Sequence, residues 1–240
     1  ALALMKSFNA DVCMMAYVLL FVPQEVRDAP TYGTFQYHPS LCPQHRGPSS
    51  INWPISMGKT RTGLSIFWPD DGLDEGPMML QKTCRIGPDE TLGDVYFTKL
   101  FPMGVDAMIE GLELVKAGVI IKHNQRLEDG SYESWFGKAA AKIDWSKPAA
   151  DIYNIIRAAN PAPGAWTTID GSELKIYDSA RVDGTGTAGE VVSINEDGVT
   201  VQAEGGRILI KRVRPADGGK TAASEWAAAA GISSGTKLGS

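Results

Sequence analysis

Apolar positions along this chain gather into short runs closed by glycine, proline and aspartate. Such runs predict buried strands. Residues 11–18 are apolar almost throughout, the pattern of a strand covered on both faces. Further strands are predicted over 33–37, 62–68 and 78–86. Between them, residues 1–9 (Leu2, Leu4, Met5, Phe8) are weakly helical, and 24–28 form a short helix with Pro23 suited to its start. Residues 49–57 predict a helix with Ser49 or Ser50 as N-cap. Pro54 inside it predicts a kink or a late start. A long helical zone follows over 89–117, interrupted near Phe101-Pro102. In it, Met108, Leu112 and Val115, spaced by four and three, fit one buried face.

The pattern then changes. Residues 119–138 are polar, with Asp129-Gly130 as a turn signal, and read as a linker between a first domain at 1–118 and a second at 139–240. The second domain opens with a helix at 148–159. Short strands follow near 166–169, 173–178, 189–194, 198–203 and 207–213, punctuated by Asp170-Gly171, Asp197-Gly198 and Gly205-Gly206. Five short strands predict a small β-barrel of the oligonucleotide/oligosaccharide-binding type. A helix at 224–230, ended by Gly231, closes the chain.

Composition narrows the class. The chain has 240 residues, 43% apolar and 21% charged, ordinary for a soluble globular protein. A net charge of −5 gives no general attraction to nucleic acid or anionic membrane. In the second domain, eleven Lys and Arg stand against twelve Asp and Glu, so it offers no basic platform for a polyanion. Cys13, Cys42 and Cys84 have no Cys-x-x-Cys spacing, which predicts reduced thiols in a cytoplasmic protein. The apolar run 12–22 is too short to span a bilayer. His45 and His123 lack second ligands and read as solvated, and no spacing suits a metal. The tryptophans read as packing groups, and Asp70 and Asp71 as turn residues.

Candidate chemistry concentrates at residues 36–76. Gln36 and His38 lie two apart on a predicted strand, so both project from one face. Asp74 sits in an acidic glycine loop after the next strand. Ligands of open α/β sheets bind at the carboxyl ends of strands, so two strand ends are expected to present amide, imidazole and carboxylate to one crevice.

The stretch His38-Pro39-Ser40-Leu41-Cys42-Pro43-Gln44-His45-Arg46-Gly47, followed by Asp70-Asp71-Gly72-Leu73-Asp74-Glu75-Gly76, resembles the folate-dependent formyltransferases. That family includes methionyl-tRNA formyltransferase and the hydrolase domain of 10-formyltetrahydrofolate dehydrogenase. Ile51-Asn52-Trp53, Ser65-Ile66-Phe67-Trp68 and Leu80-Gln81-Lys82 look more like the hydrolase domain, and residues 139–166 resemble the family's C-terminal domain.

The resemblance implies an α/β fold: a partial doubly wound, Rossmann-like sheet followed by the barrel. The family's first strand, glycine turn and two further β/α units have no counterpart here, so a truncated fragment is expected. It also implies 10-formyltetrahydrofolate as co-substrate, with no metal. The acceptor it implies is an amine, initiator methionyl-tRNA among the candidates. Alternatives are hydrolysis to formate, or a non-catalytic folate-binding remnant. His38 is then the proton relay, Asp74 its orienting carboxylate and Gln36 the oxyanion donor. Leu20, Phe21, Val22 and the Ser40-Leu41-Cys42-Pro43 turn would line the folate pocket. The chain departs from the family at three positions: Gln36 stands for Asn, Cys42 for the second Leu and Gln44 for Arg.

Overall fold

The computed structural model describes residues 1–239. Its first sheet has four strands, β1 (Cys13–Met15), β2 (Thr34–His38), β3 (Arg61–Phe67) and β4 (Met78–Arg85), in the order β1-β2-β3-β4. Only β1 and β2 are parallel; β2–β3 and β3–β4 are antiparallel. Short helices α1 (Leu2–Ser7), α2 (Gln24–Arg27) and α3 (Asn52–Ser56) lie among the strands. α3 starts late, as Pro54 forewarned, so Ser49 and Ser50 precede it.

β3 is buried from Thr62 to Phe67, as its apolar run predicts. β1 is much shorter than the run 11–18. Its one partner is β2, and at Tyr17 a φ of +60° breaks the extended backbone. Met14 is 37% exposed, and Tyr17, Leu19 and Leu20 are exposed outright. The expectation of a strand covered on both faces therefore fails.

The long helical zone resolves into α4 (Leu92–Val95), a π-helical turn (Tyr96–Leu100) and α5 (Phe101–Lys116). The widened turn sits just ahead of Pro102. Proline has no N–H to offer, and its ring excludes the carbonyl four residues back. α5 lays Ala107, Met108 and Val115 against Phe35, Leu64, Ile66, Trp68 and Met79, with Leu112 packed beside them. Close approach is possible because Gly104 lacks a Cβ; one there would stand 2.7 Å from the Tyr37 ring.

Residues 1–54, 60–87 and 94–135 form one compact unit around this sheet. The stretch read as a linker belongs largely to it. Ser131 N–H donates to Pro43 O, Arg46 N–H to Ser131 O, and Glu133 N–H to Arg46 O, each at 3.1 Å.

The second unit comprises residues 55–59, 88–93 and 136 onward. It holds α6 (Ala149–Ala158), α7 (Ala223–Ala229) and an antiparallel sheet. The strands are β5 (Ala165–Ile169), β6 (Ser172–Val182), β7 (Val191–Asn195), β8 (Gly198–Ala203) and β9 (Gly206–Pro215), in the order β5-β6-β9-β8-β7. A two-residue β10 (Thr221–Ala222) pairs with β9. Leu174, Ile176, Val199, Val201, Ile208 and Ile210 from the sheet, with Ile152 and Ile156 from α6, are buried completely or nearly so.

The five strands appear close to their predicted places, but they do not close into a barrel by pairing β5 with β7. Other backbone occupies the edges instead: beside β7, Val191 N–H donates to Thr236 O and Leu238 N–H to Gly189 O, each at 2.8 Å; beside β5, Trp166 N–H donates to Ala141 O at 3.0 Å, and Ile143 N–H to Trp166 O and Gly239 N–H to Thr168 O, each at 2.8 Å. No helix among the described residues is long and apolar enough to cross a membrane.

Candidate active site

Parallel pairing of β1 and β2 brings loops 16–23 and 39–48 out at one end of the sheet. Gln36 and His38 face away from Phe35 and Tyr37, and so away from α5. β3 runs the other way: Phe67 pairs with Gln36, so its carboxyl end points toward the start of β2. The expected delivery of two carboxyl ends to one crevice is therefore replaced. Loop 68–77 folds back along the sheet, and Asp74 reaches His38 with Oδ2 3.6 Å from Nδ1.

Both side chains are nearly buried. The other ring nitrogen of His38, Nε2, lies 3.2 Å from the carbonyl of His45. Each nitrogen thus faces an acceptor, and a proton taken up by the ring finds a partner on either side. Asp74 is fixed from three directions. Gly47 N–H donates to its Oδ2 at 2.9 Å, Gln125 Nε2 donates to its carbonyl at 3.0 Å and to Gly76 O at 2.7 Å, and Arg46 pairs with the adjacent Glu75. Asp74 itself has a φ of +56°, a conformation aspartate tolerates better than most residues. The Gln36 side chain, half-buried on the same face as His38, makes no hydrogen bond among the described residues.

His45 is not solvated. It is buried, with Nδ1 3.2 Å from Glu133 Oε2, and its N–H donates to Ser131 Oγ at 3.0 Å. These partners lie 86–88 residues away, beyond the reach of local pattern. His123 is exposed, as expected.

The turn 40–43 is held from below. Ser65 Oγ donates to Ser40 O at 2.7 Å and accepts from Cys42 N–H at 3.1 Å; Gln81 Nε2 donates to Cys42 O at 2.9 Å. Ser40 Oγ is itself spent on Gln44 O. Ser40 and Cys42 are buried, while Leu41 and Pro43 are half-buried. Burial pushes the Cys42 thiol up to about 11, which removes it as a nucleophile near neutrality. Gly63 lets this turn descend onto the sheet, since a Cβ there would lie 2.6 Å from a Leu41 methyl.

Leu20 and Phe21 stand 82% and 67% exposed on loop 16–23, with Val22 half-buried beside them. Arg27, itself buried, ties that loop to the acidic one. It donates to Val22 O at 3.2 Å, to Asp70 O at 2.5 Å and to Asp71 Oδ1 at 2.7 Å. Asp70 Oδ1 also accepts from Gly72 N–H at 2.9 Å, the turn role expected of it. Nothing near Arg27 in sequence announced its part. No group of His, Cys, Asp and Glu among the described residues could hold a metal ion.

A mixed sheet presenting a histidine and an aspartate, followed by a small antiparallel unit, fits the two-domain order that the resemblance implies. Family models agree: "Formyl transferase" matches residues 1–110, and "Formyl transferase, C-terminal domain" matches 137–231. The chain belongs to the formyl transferase family. It is 38% identical over 189 residues to the mitochondrial 10-formyltetrahydrofolate dehydrogenase of Mus musculus, covering 79% of this chain and 20% of that one. It is 34% identical over 234 residues to the methionyl-tRNA formyltransferase of Geotalea daltonii, covering 98% and 75%. The chain thus spans about a fifth to a quarter of the dehydrogenases it matches. Among solved structures, HypX from Aquifex aeolicus in complex with tetrahydrofolic acid superposes with a TM-score of 0.76 at 19% identity, over 95% of this chain and 41% of that one. WlaRD, a sugar 3N-formyl transferase, gives 0.66 at 19%, over 88% and 76%. Both share the fold.

Proposed function

We propose that this chain carries a formyl-transfer site that uses 10-formyltetrahydrofolate as donor and an amine as acceptor, initiator methionyl-tRNA among them. The observation that carries the reading is the buried approach of His38 to Asp74 at 3.6 Å, each braced by separate parts of the chain. In this reading the acceptor nitrogen bonds to the formyl carbon and the bond to the folate nitrogen breaks. His38 takes the proton released by the acceptor and returns it to the departing nitrogen. Asp74 orients the ring and stabilises its charged form. Gln36 donates its amide to the oxyanion of the tetrahedral intermediate. The exposed Leu20 and Phe21, with Val22, suit an apolar ring system, and Leu41 and Pro43 provide the half-buried side of the adjoining turn. Ser40 and Cys42 shape that turn from within. Three free thiols accord with a cytoplasmic setting.

A second reading, hydrolysis to formate, draws support from the identity of 38% to the dehydrogenase and from the lack of a basic second domain. Product analysis separates the two, as formyl-amine against free formate. His38→Ala and Asp74→Ala are each expected to slow turnover about 10²–10⁴-fold while folate binding changes little. Parent-like turnover by either variant at saturating donor rejects the assignment.

A further inference from the structure

Strands β6 and β9 fall out of step and recover within a few residues. Ile176 pairs with Val213, Asp178 with Arg212, and Ser179 with Ile210, so Tyr177 on one strand and Lys211 on the other have no opposite number. The inward phase of β6 switches at this point: Leu174 and Ile176 are buried before it, Tyr177 and Ser179 after it. Paired bulges of this kind re-aim side chains, and a polar serine is turned inward as a result.

Both bulged residues line a cavity of about 370 Å³, together with Ser179, Arg157, Tyr153 and Asp89. All of these belong to the second unit. We propose that this cavity binds the phosphate group of a small phosphorylated molecule.

Three donors surround it. Ser179 is only 9% exposed, and its Oγ has no hydrogen-bond partner among the described residues. A buried hydroxyl left in that state costs free energy that a ligand oxygen recovers. Arg157 is buried and held in place by Asn154 Oδ1 at 2.9 Å and Glu90 O at 3.0 Å. Burial lowers its hold on its proton, a cost that a bound anion offsets. Lys211 is exposed and makes no ion pair among the described residues. A guanidinium, an ammonium and a hydroxyl around one space suit a group with three terminal oxygens.

The surrounding charge favours the same ligand. Arg181 lies over the Tyr153 ring at 5.6 Å, and Lys220 covers the Tyr177 ring at 3.6 Å. Against these four cations stand three carboxylates, among them Glu90, which acts on Arg157 together with Asp89. Asp89 accepts the Tyr153 hydroxyl at 2.8 Å, and the exposed Asp178 faces Arg212 in the ladder. The patch is locally basic although the second unit as a whole is not.

The test is calorimetric titration of the whole chain with inorganic phosphate and with ribose 5-phosphate at constant ionic strength, with sodium chloride as control. At least one probe is expected to saturate, and Lys211→Ala and Ser179→Ala are each expected to weaken it about tenfold. Ser179→Ala removes a hydroxyl without a partner, so the fold should tolerate it; Lys211→Ala, at the surface, gives the answer if it does not. The proposal falls if neither probe saturates, or if either folded variant binds as the parent does. The tighter probe tells whether the site takes free phosphate or a phosphate ester.

Discussion

The two units solve the sheet-edge problem in opposite ways. In the second, the edges formed by β5 and β7 are met by backbone from residues 141–143 and 236–239, and the inward residues of β8 and β9 are fully covered. In the first, β1 is three residues long, pairs on one side with β2, and leaves Met14, Tyr17, Leu19, Leu20 and Phe21 exposed. Open strands with apolar neighbours invite association. Yet the candidate catalytic pair lies in this first unit. Openness and chemistry share one region, while the covered sheet stands as a separate frame.

The largest expected effect on that contrast comes from the covered sheet. Ile208→Ala removes a fully buried side chain and should destabilise the second unit by about 2–5 kcal/mol. Hydrogen exchange read by mass spectrometry should show faster exchange in β8 and β9 and none of it in β2 or β3. Uniform acceleration through both units would dissolve the distinction.

Ser65→Ala comes next. It strips Cys42 N–H of an acceptor and Ser40 O of a donor beneath the motif turn, at a cost of about 1–3 kcal/mol. Its signature should be local: faster exchange at residues 40–46 with the second unit unmoved. The smallest effect is expected from Met14→Lys. A charge on the exposed edge should leave stability within about 0.5 kcal/mol of the parent while reducing self-association, measured by sedimentation. Unchanged association would mean that the open edge is not what brings copies together.

The sequence was legible where the determinants are local. The run 62–68 announced β3, Met108, Leu112 and Val115 announced the buried face of α5, and the glycine turns announced β6 to β9. The approach of His38 to Asp74 was expected because two motifs stand at the separation the resemblance calls for. What escaped was long-range. The shortening of β1 depends on how many strands border it, which no run of eight residues reports. His45 pairs with Glu133, Asp74 is braced by Gln125, and Arg27 clamps Asp70 and Asp71 across more than forty residues. The edges of the second sheet are met by residues 141–143 and 236–239, which carry no strand pattern at all. Polar partners at such separations leave no periodicity to detect.

The short backbone ladder between residues 43–46 and 131–133 has a consequence during synthesis. The motif loop cannot acquire its final hydrogen bonds until Glu133 has been made and has emerged. At translation rates of about 5–20 residues per second, the 87 residues from Arg46 to Glu133 take roughly 4–17 s. For that interval the nascent chain carries His38 beside a loop whose His45 carbonyl is not yet held by residues 131–133, and the site takes its final form only after the acidic loop, α5 and most of the first unit already exist.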